Sequence, residues 1–238
     1  MKRISRRTFN VAATSLVAAP YLAWPASDNV PKSLDHVILG CNDLDKGVEY
    51  VYQRTGVRAA PGGVHPGAGT KNALLSLGKL RYLEIIAPDP LQSASTDPRD
   101  VADLKSPALV GWAIHRSGVD GFASVLNSAG IESVGPKPGS RARPDGTTLT
   151  WKSLTLKDDS KGVWPFFIEW GSGSLHPSVD APTGCKITDL WIGTPTPDEL
   201  KAFAAKLQLD VQVRKAKKLQ LAATIVGPKG TLPLFSSR

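Results

Sequence analysis

No glycine-rich phosphate loop follows the first apolar strand of this chain. Leu34 to Gly40 runs straight into Cys41-Asn42-Asp43, which removes the main support for a nucleotide-binding doubly wound sheet. There is no G-x-S-x-G elbow, H-E-x-x-H helix or C-x-x-C pair, so serine-hydrolase, zinc-protease and thioredoxin chemistries have no motif to stand on. Cysteine is scarce: Cys41 and Cys185 do not make a disulfide framework, though an oxidising compartment would permit one bridge. Beyond the first 26 residues no apolar run is long enough to span a bilayer. Clustered charge is also scant. Four of the 29 basic residues and none of the 21 acids lie in residues 1–26, leaving 25 bases against 21 acids, a net charge of +4, on the rest. The one basic cluster, Arg214-Lys215-Ala216-Lys217-Lys218, reads as a solvated hairpin or loop, and no nucleic-acid partner is expected.

What is present begins with the N-terminus. Lys2, Arg3, Arg6 and Arg7 precede an apolar stretch of about 13 residues, Val11 to Ala23, the layout of an export signal. Ser5-Arg6-Arg7-Thr8-Phe9 resembles the twin-arginine motif, with Asn10 where that motif prefers leucine. Residues 1–26 are therefore expected to be an export signal read by the twin-arginine machinery, and the protein is expected to be periplasmic. Trp24-Pro25-Ala26 makes a poor cleavage site, so an uncleaved membrane anchor stays open.

Three later segments repeat one plan, a short strand, a polar corner and a one-faced helix ending near a glycine or its equivalent. They are Leu34 to Gly56 (helix positions Val48, Val51, Tyr52), Val110 to Gly130 (Phe122, Val125, Leu126) and Ile187 to Leu209 (Leu200, Phe203, Ala204, Leu207). Alternating runs follow the first two helices: Ala73 to Leu77 and Tyr82 to Ile86 after one, Thr148 to Leu156 and Phe166 to Trp170 after the other. The expected fold is α+β, with two βαβββ modules over residues 34–90 and 108–176 forming an open cupped sheet. A partial third βα unit at 185–238 is expected to pack on the same domain.

The stretches Leu34-Asp35-His36-Val37-Ile38-Leu39-Gly40, Gly62 to Asn72, Arg81 to Pro90 and Pro165 to Trp170 together resemble the vicinal oxygen chelate superfamily, and within it the glyoxalase-like domain proteins. In that superfamily each module lends a metal ligand from its first strand and one from its last. The resemblance implies His36, Glu84 and Glu169 as ligands of a divalent Zn, Mn, Fe, Co or Ni ion, with Glu169 also moving a proton. Imidazole and carboxylate donors on rigid neighbouring strands suit such ions. It also implies a small-molecule substrate or ligand and a homodimer.

Counting from the corners pairs His36 with Gly111, which cannot ligate. His115, an even step further on, faces the same way but is displaced by about 13 Å at ~3.3 Å per residue. It is carried as a pocket-rim, proton-transfer residue. His65, in the glycine- and proline-rich stretch Gly62 to Thr70, is expected on a loop closing over a cavity, as a catalytic acid/base or, with Asn72, a substrate contact. Trp112, Trp151, Phe167 and Trp170 are expected in the core or the pocket wall, with Trp112 as a substrate contact. Two readings remain open: an exported metal-dependent enzyme of lyase, isomerase or dioxygenase type, and a metal-free protein that sequesters a small molecule in the same cup.

Overall fold

The computed structural model describes residues 29–92, 101–143, 145–160 and 162–237. The export signal expected over residues 1–26 lies outside them.

Each corner the sequence marks becomes a helix start. After β1 (Leu34–Gly40), the side chain of Asp43 accepts the amide of Lys46 and opens α1 (Leu44–Thr55). Gly56, at φ 80°, closes α1 by donating its amide to the Tyr52 carbonyl, a backbone state glycine adopts without cost. Strands β2 (Ala60–His65), β3 (Thr70–Ser76) and β4 (Tyr82–Pro88) complete the first module. The second repeats the order: β5 (Ala108–His115), α2 (Val119–Ser128), β6 (Ser133–Ala142), β7 (Thr148–Leu156) and β8 (Phe166–Trp170). All eight strands form one sheet, in the order β2-β3-β4-β1-β5-β8-β7-β6. The first strand of each module lies parallel to its last, and the modules join where β1 and β5 run antiparallel. The fold is therefore the expected α+β cup.

Two strands of this sheet escaped the sequence pattern. The stretch around His65, read as a loop, is the edge strand β2 followed by a turn at 66–69. At the other edge, β6 contains Pro136 and Pro138, which an edge strand tolerates because one side of its amide ladder has no partner. The two edges curl toward each other. A Cβ built on Gly63 of β2 would lie 2.8 Å from the carbonyl oxygen of Ala142 in β6.

The last segment carries a full set of elements, β9 (Lys186–Thr194), α3 (Pro197–Lys206), β10 (Gln212–Lys215), β11 (Gln220–Gly227) and β12 (Gly230–Phe235). They are wired differently, as a separate sheet ordered β10-β9-β11-β12 in which β10 rather than the last strand lies parallel to β9. Within that sheet Arg214 makes two bonds to Asp189, at 2.6 and 2.7 Å.

One continuous core joins α1, α2, β1, β5 and the inner face of the second sheet, with Val37, Leu39, Trp112, Phe167, Leu190 and Ile225 fully buried. The helix faces differ slightly from the periodic reading. Val119, Phe122 and Leu126 bury the inner face of α2, whereas Val125 is exposed; in α1 the buried positions are Gly47, Val51 and Thr55, and Tyr52 is exposed. Cys41 and Cys185 are both buried free thiols. Burial pushes the Cys41 thiol up to about 11 and raises that of Cys185 as well.

Candidate active site

Inside the cup is a cavity of about 1490 Å³, larger than most small-molecule pockets. Its floor is set by β1 and β4. His36 is almost fully buried, stacked on Tyr82 at 4.5 Å between centroids and met edge-on by Phe166 at 5.4 Å. Its Nε2 lies 3.8 Å from Oε2 of Glu84, in the β4 strand that pairs with β1. Across β3, the Asn72 side-chain amide donates to Glu84 Oε1 at 2.6 Å, and the same nitrogen lies 3.2 Å from His65 Nε2. His65 Nε2 is 3.5 Å from Glu84 Oε1, and its Nδ1 is held by the Thr70 hydroxyl at 2.9 Å. His36, His65, Asn72 and Glu84 are thus one contiguous polar patch, which joins two of the implied metal ligands to the two residues expected to contact substrate.

The residue behind His36 is one the sequence gave little reason to pick. Asp35 is wholly buried. Strand alternation places it opposite His36, but the pairing of β1 with β5 slips between Leu34 and His36, and this bulge brings the two side chains together. The Asp35 carboxylate lies 2.7 Å from His36 Nδ1 and accepts the Trp170 indole N–H at 2.9 Å. It is also 3.3 Å from His176 Nε2 and 3.6 Å from His115 Nδ1. Burial alone would raise its pKa, but the neighbouring imidazoles of His115, His176 and His36 hold it well below the usual carboxylate range. Asp35 therefore stays charged and keeps a proton on His36 Nδ1, which leaves Nε2 facing the cavity. The Tyr82 phenol is held well above its ordinary value, by burial first and then by the charges of Asp35 and Glu84. His115 lies outside the cavity wall and half-exposed; its pKa is raised, chiefly by the Asp35 carboxylate 3.6 Å away.

The implied ligand set does not assemble. Glu169 Oε1 accepts the Gly118 amide at 2.7 Å and Oε2 the Val119 amide at 3.3 Å. It caps α2, whose own N-cap, Gly118, has no side chain for the task. Among the described residues no three His, Cys, Asp or Glu side chains form a group that could hold a metal ion.

Strand register explains why. The antiparallel pairs His36–Ala113, Val37–Trp112 and Ile38–Gly111 are symmetric about Val37–Trp112, so Gly111 is the second-module counterpart of His36. Glu84 pairs with Ile38, whose counterpart is Ala113, and Ala113 pairs with Phe166. The counterpart of Glu84 is therefore Phe166, not Glu169. The Asp35–His36 pair would orient a metal ligand well, and Glu84 would be a second donor. The other half of the site is glycine and phenylalanine, and the divalent ion that the fold implies does not fit these residues.

Trp112 is fully buried, with its indole N–H donated to the Val163 carbonyl at 2.8 Å. It builds the wall and has no donor left for a ligand. Glu169→Gln should therefore act on stability, lowering it by about 1 kcal/mol through the weakened helix cap. Chemical denaturation measures this, and a variant as stable as wild type would count against the capping role.

A family model described as a glyoxalase-like domain matches residues 34–208. Among solved structures, a hypothetical protein from Staphylococcus aureus has a TM-score of 0.60 at 15% identity, over 85% of this chain and 84% of that one. Methylmalonyl-CoA epimerase from Mycobacterium tuberculosis gives 0.42 at 20% identity, over 63% and 92% of the two chains. The Streptomyces coelicolor methylmalonyl-CoA epimerase in complex with 2-nitronate-propionyl-CoA gives 0.45 at 20%, over 61% and 99%. No curated protein matches the chain. The likeness to the Staphylococcus aureus structure is one of fold.

Proposed function

The chain belongs to the glyoxalase-like domain family, and on that premise we propose that its cup binds a small oxygen-bearing molecule and moves a proton on it without a metal. The observation that carries this reading is the Asp35–His36–Glu84 arrangement at the cavity floor. Asp35 fixes the His36 ring by its Nδ1 proton, and His36 Nε2 and Glu84 Oε2 face each other 3.8 Å apart. That is too far for a hydrogen bond and close enough for both groups to reach one substrate atom. With the His36 proton held on Nδ1 by Asp35, His36 Nε2 and the Glu84 carboxylate are both proton acceptors at the cavity floor. Either can take a proton from carbon beside a carbonyl, become its own conjugate acid and return that proton to the enolate, with Tyr82 and Phe166 excluding water from the imidazole. This is the step shared by isomerases and lyases. The dioxygenase branch of the superfamily's chemistry would need redox-active metal coordination, and the donor set does not support it.

Incubation with 2-oxo and 3-oxo acids in deuterated buffer, followed by NMR of the α-carbon protons, tests the reading. Exchange accelerated by the protein and reduced about 10²- to 10⁴-fold in His36→Asn is expected. Exchange at the uncatalysed rate with every carbonyl compound, combined with tight binding of one of them, would instead support the sequestration reading. The same aromatic-walled cup serves that role.

A further inference from the structure

Arg141 has no part in the proton-transfer floor, yet it is placed on the same cavity. It lies near the end of edge strand β6, is only 5% exposed, and lines the cavity together with Tyr82, Asn72 and Glu84. A guanidinium carries five N–H donors and no acceptor, and a buried one is normally paired. Among the described residues the Arg141 side chain has no hydrogen-bond or ion-pair partner. The nearby carboxylates are engaged elsewhere: Asp180 pairs with Arg143, and Glu84 accepts from Asn72. Burial lowers its pKa, with the charge of Glu84 acting the other way.

The backbone makes room for this side chain. A Cβ at Gly63, in the facing edge strand β2, would come within 3.0 Å of the Arg141 Nη1 and 3.2 Å of its Cδ. The position has φ 141°, so only a glycine sits there without strain. Two edge strands thus meet around a buried guanidinium that feels the charge of Glu84 but has no hydrogen-bond partner among the described residues.

We propose that Arg141 is the recognition site for a carboxylate on the molecule the cup binds, with the aromatic or acyl body of that molecule lying against Trp151, Trp170 and Phe166. The proposal deepens the proton-transfer reading and rests on it for the identity of the cavity as the working site. A carboxylate matches the fork of a guanidinium with two parallel bonds. A phosphate dianion fits less well. It would bring two charges to one buried cation that already feels Glu84. The walls suit an apolar body. Trp151 and Trp170 meet edge to face at 5.7 Å, and Trp151 packs so closely on Gly139 that a Cβ there would lie 2.5 Å from the ring.

Calorimetry and melting curves on the full chain test this with benzoate, phenylacetate and indole-3-acetate, each beside its neutral amide, and with inorganic phosphate. At least one acid should bind and raise the melting temperature while its amide does not. Arg141→Met should weaken that binding about 10- to 100-fold, and Arg141→Lys should fall between. The empty Arg141→Met protein should melt higher than wild type, because a buried unpaired charge has been removed. The proposal is overturned if no acid binds, if amides bind as well as acids, or if phosphate outcompetes every carboxylate. Unchanged binding in Arg141→Met overturns it too, and a lowered melting point there would make Arg141 a structural residue.

The two readings fail separately. Carboxylates bound through Arg141 with no proton exchange would leave recognition standing and remove the proton transfer. Exchange in Arg141→Met at the wild-type KM would do the reverse.

Discussion

Asp35→Asn should lower the stability of the protein by about 3–5 kcal/mol, on the order of 10 °C in melting temperature for a chain of this size. Asp35 is fully buried and receives His36, His176 and Trp170, with His115 at 3.6 Å. Asparagine keeps the shape but offers one acceptor oxygen and turns an NH₂ toward groups that are themselves donors. The desolvation cost of those donors then goes unmatched.

The variant should also change the acid limb of the stability curve. The folded carboxyl has a pKa well below its usual 3.8, so its contribution is present in full above about pH 4 and is lost as the pH falls through the folded value. Wild type should therefore lose stability on acidification below about pH 4, and Asp35→Asn should lack that part of the loss. His115 runs the other way. Its pKa is raised above the ordinary 6.5, so its contribution is present below that value and lost as the pH rises through the folded one. Urea titrations of both proteins from pH 3 to 8 measure this directly. Parallel curves would show that the Asp35 cluster is not the buried charge centre described above.

The second large effect is a gain. Gly111→His should give the cup a site that binds Zn²⁺, Co²⁺ or Ni²⁺ with a Kd on the order of a micromolar, about −8 kcal/mol. The strand register makes Gly111 the counterpart of His36. A Cβ there meets only Ile38 Cδ1, at an ordinary 3.7 Å, so an imidazole can be accommodated. With His36 and Glu84 it would form two imidazoles and one carboxylate, with Asp35 behind His36. Titration calorimetry of the variant beside wild type checks this. Equal affinity in both would mean that the native site already holds a metal by some other set.

The sheet plan was legible because each module marks its own corners: Asp43 and Gly56 act as their types imply, and most of the periodic apolar positions of α1 and α2 face the core, Tyr52 and Val125 excepted. The edge strands were not, since Pro136, Pro138 and the paired Gly62-Gly63 look like loop residues wherever an edge is not known to be one. In the site, His36 and Glu84 were legible as residues of neighbouring strands, and His65 with Asn72 as polar residues beside a cavity, though His65 lies on strand β2 and not on a loop.

Three features were not. Asp35 depends on a bulge, which reverses the face that alternation assigns. Glu169 follows from the resemblance as the acid of the last strand, and counting along the chain cannot show that Phe166 holds the matching position, because the hairpin of the second module is longer. There β6 and β7 have ten and nine residues against six and seven for β2 and β3. Only the observed pairing of Ala113 with Phe166 fixes that register. Arg141 reads as an ordinary surface arginine in Gly139-Ser140-Arg141, and only the curl that brings β2 against β6 buries it. The third segment shows the same limit: its elements follow the repeated order, yet the strand that lies parallel to β9 is β10, so the repeat in sequence is not a repeat in wiring.

The central claim is that this cup works through the His36 and Glu84 side chains and not through a bound ion. Elemental analysis tests it most directly, on protein purified without a metal-affinity tag, offered Mn²⁺, Zn²⁺, Fe²⁺ and Ni²⁺ and then desalted, beside a His36→Ala control. The account predicts well under one equivalent of any transition metal in both proteins. One equivalent in wild type that is lost from the control would contradict it.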